Sequence, residues 1–255
     1  MENAFGQPQS IIVLGGSSDI ARAIVKKLCA ARAQSVVLAG RNQTLLDEAA
    51  AEARDYGATT THTVHFEATE PLDAARAVSA CFEALGEPVD LVIVAVGLLG
   101  RQLEYEDDPT MAATMATVNY AWPVAALSEL RRRLVAQGHG RILVLSSVAA
   151  IRVRRVSYLY SGAKAGLDRL CDGLADSLAG TGVTLQIVRP GFVRSKMTAG
   201  EPEIPFSTGV NEVADNVLRG LASEARVIWS PPILRVVFFV LRHLPAPIWR
   251  RVANR

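Results

Sequence analysis

The chain has 255 residues, half of them hydrophobic, and its 27 basic and 25 acidic side chains leave a net charge of +2. That is enough apolar material for one large core without disulfides or metals, and so small an imbalance gives no global field to draw the protein onto nucleic acid. Cys29, Cys81 and Cys171 lie far apart without metal-ligand spacing, so reduced, packed thiols in a reducing compartment are expected, and no metal site.

The first ten residues, MENAFGQPQS, lack a basic n-region, and the apolar run behind them stops at Gly15-Gly16, too short for an export signal. A cytoplasmic location is expected. Short β-branched runs then recur at 11–14, 35–39, 61–66, 91–94, 141–146, 184–188 and 227–230. The segments between them, such as 20–30 and 45–56, carry apolar residues at helical spacing. Strands apolar on both faces and separated by helices form a parallel sheet with right-handed crossovers. The fold class predicted is α/β, a doubly wound parallel sheet of Rossmann type, as a single domain over residues 1–230. Residues 200–209, GEPEIPFSTG, read as a mobile loop or lid.

In such a sheet a ligand lies beyond the carboxyl ends of the strands. The first strand runs into Gly15-Gly16-Ser17-Ser18-Asp19-Ile20-Ala21, where the glycines permit a tight turn and the helix that follows aims its free N–H groups at an anion. The same residues also make an ordinary turn capped by Ser17 or Ser18. The second strand ends in Gly40-Arg41, where a carboxylate would select the 2′-hydroxyl of NAD. An arginine there favours the 2′-phosphate of NADP, although Arg41 also fits a solvated loop.

Tyr160 and Lys164 stand four apart and share one helix face, so an ammonium group can draw the phenol's pKa down toward working pH. Ser146-Ser147 end the fifth strand on the same crevice, and Asn119 interrupts an apolar helical stretch where a buried amide needs partners. Tyr158 is close by but has no lysine four residues on.

Taken in order, Gly15 to Ala21, Gly97, Asn119, Ser147, Tyr160, Lys164 and RPGFVRS at 189–195 resemble the short-chain dehydrogenase/reductase family over nearly the whole chain. The resemblance implies that Ser147 orients the substrate oxygen, Tyr160 transfers the proton, Lys164 tunes it and grips the ribose, and Asn119 holds a proton-relay water. It implies that Gly15, Ser17, Ser18, Asp19, Ile20 and Gly97 line the cofactor, with Glu67 at adenine. Pro190, Gly191, Val193 and Ser195 would lie over the nicotinamide carboxamide. Two departures stand out: Asp19 and Ala21 replace the later glycines of the first turn, and Val94-Ala95-Val96-Gly97 replaces the usual Asn-Asn-Ala-Gly.

Between Ser147 and Tyr160 the chain carries Arg152, Arg154 and Arg155, which suit an anionic substrate group such as phosphate, or equally a solvated loop or subunit contact. Residues 231–255 form an apolar tail punctuated by Arg235, Arg242, Arg250 and Arg251. It fits a peripheral membrane contact, a greasy substrate channel or a homo-oligomer interface. Its apolar run at 236–241 is far below the ~20 residues that span a bilayer. With VAVGLLG at 94–100, RVRR and YSGAKAGLD, the tail resembles one subgroup of the family, the decaprenylphosphoryl-2-keto-ribose reductases of actinobacterial cell-wall arabinan synthesis. That resemblance implies a lipid-linked phosphosugar substrate, NADH or NADPH as donor, and a flavin-dependent oxidase partner in a two-step epimerisation. The competing expectations are a reductase of simpler ketones and a cofactor-binding redox sensor without turnover.

Overall fold

The seven β-branched runs become the strands of one parallel sheet in the computed structural model, which describes residues 7–253. In chain order they are β1 (Ser10–Leu14), β2 (Ser35–Gly40), β3 (Thr60–His65), β4 (Leu91–Val94), β5 (Gly140–Leu145), β6 (Val183–Pro190) and β9 (Val227–Ser230), with the short β7 (Val193–Arg194) and β8 (Thr208–Gly209) set apart as a pair. The helices are α1 (Asp19–Ala30), α2 (Gln43–Asp55), α3 (Ala74–Leu85), α4 (Gln102–Asp107), α5 (Pro109–Ala116), α6 (Trp122–Gln137), α7 (Tyr158–Ser177), α8 (Val210–Ala222), α9 (Leu234–Arg242) and α10 (Ala246–Ala253).

The strand order β3-β2-β1-β4-β5-β6-β9 reverses direction between β1 and β4, the position where doubly wound sheets open a crevice. Alternate residues of each strand serve opposite faces. Ile11, Val13, Val36 and Leu38 meet α1, α2 and α8, whereas Ile12, Leu14, Val37 and Val92 meet α3, α6 and α7. Both layers are built of buried apolar side chains, so the sheet is a rigid platform for the loops at its carboxyl edge.

Two elements differ from the sequence reading. β3 was expected at 61–66 with both faces apolar; it is a polar edge strand, pairing only with β2. Phe66 lies beyond its end and stacks on the buried Trp122 with ring centroids 4.4 Å apart. Residues 200–209 end in β8, where Thr208 and Gly209 pair with β7, and Arg194 ties the loop through Glu203 and the Ser207 carbonyl, each at 3.3 Å.

The three cysteines are free and buried, and burial pushes their thiols up, Cys29 to about 11 and Cys81 and Cys171 to about 12. No helix among the described residues is long and apolar enough to cross a membrane.

Candidate active site

The crevice begins where β1 turns into α1. Gly15 has a φ of +94°, and a Cβ there would sit 2.7 Å from the carbonyl carbon of Ala95, so only glycine lets the β1 and β4 ends close on each other. The N–H groups of Gly15 and Gly16 both bond the Ala39 carbonyl at 2.8 Å. Ser18 caps α1, its Oγ accepting from Ala21 N. The amides of Ser17, Asp19 and Ile20 therefore remain as open donors at the turn and helix start.

The Asp19 side chain has a separate use. Its carboxylate accepts a 2.7 Å bond from Lys196 N and stands 3.8 Å from Lys196 Nζ. The residue that replaces a glycine thus fastens the first turn to the segment after β7, and it turns its charge onto a lysine. Val193 and Ser195 lie in that segment; Val193 is buried, and Ser195 N donates to Thr198 Oγ1 at 3.2 Å. Pro190 closes β6, and Gly191 N bonds the Ser230 carbonyl.

Asn119 sits in a π-helical turn, Thr117–Ala121, fully buried between α5 and α6. Its Nδ2 donates to the carbonyls of Leu98 at 2.7 Å and Met115 at 3.0 Å, and its Oδ1 accepts from Leu98 N at 3.2 Å. Both Nδ2 donors and one lone pair of Oδ1 are thus committed to the backbone, so the side chain pins the loop after β4 and keeps one acceptor lone pair to spare. That loop carries Gly97, where a Cβ would lie 3.2 Å from Asn119 Oδ1 and 3.4 Å from Lys164 Nζ.

Tyr160 and Lys164 rise from the first turns of α7 and point to the end of β5. Lys164 is buried and donates to the Leu145 carbonyl at 3.1 Å, one of its three N–H donors. Burial lowers its ammonium to about 8. Ser147, at the mouth of β5, accepts from Ala149 N at 3.1 Å and also hydrogen-bonds the Tyr160 phenol. Burial raises the phenol above its ordinary value, and the Ser147 bond draws it part of the way back. Helical spacing led to the expectation that Lys164 lowers it; desolvation wins here, leaving Tyr160 a protonated acid at neutral pH. Tyr158 is exposed.

A buried network beneath these residues was not singled out from sequence. Asp168, one turn beyond Lys164, accepts from Ser146 Oγ at 2.7 Å and from Arg189 Nε at 3.0 Å and Nη2 at 2.7 Å. The spacing 160, 164, 168 on one helix face was the signal that could have found it. It locks α7 to the ends of β5 and β6.

Arg152, expected at the substrate, is used elsewhere, donating to the carbonyls of Arg242 at 3.0 Å and Leu244 at 2.9 Å. Arg154 is half-buried and Arg155 exposed, and neither side chain has a partner among the described residues. At the far end of the crevice Arg41 is exposed and likewise unpartnered, and Glu67 faces His65 at 3.8 Å. The turn only glycine can make, the open amides of α1 and the buried ammonium beside Gly97 fit a dinucleotide along the crevice.

Residues 9–203 match the family described as short chain dehydrogenase. An uncharacterized oxidoreductase of Mycobacterium tuberculosis is 40% identical over 242 residues, covering 95% of this chain and 96% of that one. Another from Streptomyces coelicolor is 38% identical over 253 residues, 98% of each. Among solved structures, a short-chain type dehydrogenase/reductase from Mycobacterium ulcerans superposes with a TM-score of 0.74 at 26% identity, covering 87% of each chain. A short chain dehydrogenase from Burkholderia cenocepacia, solved with NADP, gives 0.79 at 21% identity over 96% of this chain and 98% of that one, a likeness of fold. The chain belongs to the short-chain dehydrogenase/reductase family and is an NAD(P)-dependent oxidoreductase.

Proposed function

We propose that this enzyme reduces the keto group of a lipid-linked phosphosugar, with decaprenylphosphoryl-2-keto-ribose as substrate and decaprenylphosphoryl arabinose as product, and that it takes NADPH in preference to NADH. The observation that carries the reading is the pair Arg154 and Arg155. Two cations without a counter-ion among the described residues stand on the stretch between Ser147 and Tyr160, suited to the charge-assisted hydrogen bonds of a phosphodiester. Exposed Val153 and Val156 on the same stretch suit the start of a polyprenyl chain.

In this mechanism the Ser147 hydroxyl holds the substrate oxygen against the Tyr160 phenol. A nicotinamide held in the crevice would supply hydride to the carbonyl carbon. Tyr160, kept protonated by burial, gives its proton to the oxygen, so the carbonyl becomes an alcohol and the phenol a phenolate. The Lys164 ammonium, one helical turn away, stabilises that phenolate and has donors to spare for ribose hydroxyls. The Ser17, Asp19 and Ile20 amides would hold the pyrophosphate, and Glu67 would face the adenine. Arg41, with no carboxylate beside it, favours the 2′-phosphate. Structural neighbours have been solved with NADP and with NAD.

A 2-keto sugar arises by oxidation of the parent alcohol, so a flavin-dependent oxidase acting on the same lipid-linked ribose is the partner in this reading. The test compares the lipid-linked keto-pentose with an uncharged ketone in wild type and in Arg154→Ala with Arg155→Ala. The expected result is a KM at least tenfold higher for the phosphosugar alone. An unchanged KM would shift the reading to an apolar ketone, which the exposed valines also suit.

A further inference from the structure

We propose that the C-terminal helices α9 and α10 dock the enzyme on an anionic lipid surface, holding the mouth of the active site against it. The docking face lies outside the crevice, so its role does not depend on which substrate the crevice takes.

A helix on the surface of a soluble protein turns an apolar stripe inward and polar residues outward. In α9 the inner side is filled, with Leu234 buried and Val237, Phe238 and Leu241 half-buried. The outer side is apolar as well: Val236 is 60% exposed and Phe239 58%, with Ile233 and Val240 beside them. Ile248 of α10 is also exposed. Contiguous exposed apolar surface of this kind marks an interaction site.

Charge decides what covers it. From residue 231 to the end the chain carries five arginines and no acidic residue. Arg235, Arg242, Arg250 and Arg251 are exposed and have no carboxylate partner among the described residues. The Arg242 guanidinium lies over the Phe239 ring at 4.9 Å, its stem along the apolar face and its charge at the rim. A second copy meeting this face about a two-fold axis would set arginine against arginine with no carboxylate in the segment to receive them. Anionic headgroups receive the arginines while the acyl region receives the valines and Phe239. At nine residues α9 is roughly 14 Å long, too short for the ~30 Å hydrocarbon core, so it lies on the surface.

The docking face is tied to the site. Arg152 binds the carboxyl end of α9 through the Arg242 and Leu244 carbonyls and lies over the Trp249 ring at 5.1 Å. Trp249 Nε1 donates to the Val153 carbonyl at 3.2 Å. Leu234 packs on Gly191, where a Cβ would come within 2.6 Å of it. The loop behind Ser147 and the turn after β6 are thus both fixed to the docking helices.

The test is co-sedimentation of the full chain, loaded with NADPH, with vesicles of phosphatidylcholine alone or with phosphatidylglycerol added. At least tenfold more protein should bind the anionic vesicles, and raising the salt should remove most of that excess. Val236→Asp with Val240→Asp should lose binding at least tenfold, and Arg250→Gln with Arg251→Gln should lose the preference for anionic lipid, both with NADPH affinity unchanged. Equal binding to the two vesicles, or none, would overturn the proposal. A wild-type dimer in sedimentation that Val236→Asp with Val240→Asp dissociates would overturn it too, assigning the face to a second copy.

Discussion

Asp168→Ala should be the most damaging single change beneath the active site. The Asp168 side chain is fully buried and accepts three hydrogen bonds, one from Ser146 and two from Arg189, whose side chain is only 10% exposed. Removing the carboxylate leaves a guanidinium in the interior with the Trp229 ring 5.2 Å away as its remaining neighbour of note, and leaves the Ser146 hydroxyl unpaired. Breaking a buried ion pair from one side costs about 3–5 kcal/mol, most of it the uncompensated charge. In urea unfolding that corresponds to a midpoint lower by roughly 1–2 M. Asp168→Leu combined with Arg189→Met should recover most of the loss, since it removes both charges and keeps the volume. A loss below about 1 kcal/mol for Asp168→Ala, or a double variant no better than the single, would refute the assignment.

Three further outcomes follow from the site. Burial lowers Lys164 from 10.5 to about 8. A base whose folded value is depressed opposes folding at every pH below 8, and the cost fades as pH rises to 10.5. Lys164→Met should therefore gain on wild type by up to about 3 kcal/mol below pH 8, with the gain vanishing toward pH 10.5 in denaturant titrations; a pH-independent difference would contradict this. Arg41→Ala should weaken NADPH about tenfold and leave NADH untouched in fluorescence titrations, and equal losses would make Arg41 a solvated loop residue. Gly15→Ala, forced to hold φ at +94° with its Cβ 2.7 Å from Ala95, should cost about 1–3 kcal/mol of stability by calorimetry and weaken both cofactors.

Much of this was legible in the sequence because a buried parallel sheet writes itself as β-branched runs. All seven strands of the sheet lie within one or two residues of their sequence positions, and β3 differs only in its polar faces, because an edge strand needs less apolar cover. The glycine turn, Ser147, Tyr160 and Lys164 could be picked out because local spacing carries them. What stayed hidden depends on distant backbone. Asn119 spends its amide on Leu98, Arg152 reaches carbonyls some 90 residues on, and Asp19 grasps Lys196. The two-residue strands β7 and β8 are too short for any periodicity to show. The phenol's rise is an effect of desolvation, and helical spacing alone suggests the opposite sign.

The decisive assay is nicotinamide oxidation by the purified enzyme on the lipid-linked keto-pentose, with Tyr160→Phe as its control. Turnover is expected in wild type, faster with NADPH than NADH, with a loss of about 10²–10⁴-fold in kcat for Tyr160→Phe while cofactor binding is retained. Tight cofactor binding without turnover in wild type, or a Tyr160→Phe enzyme as fast as its parent, would contradict the proposed reaction.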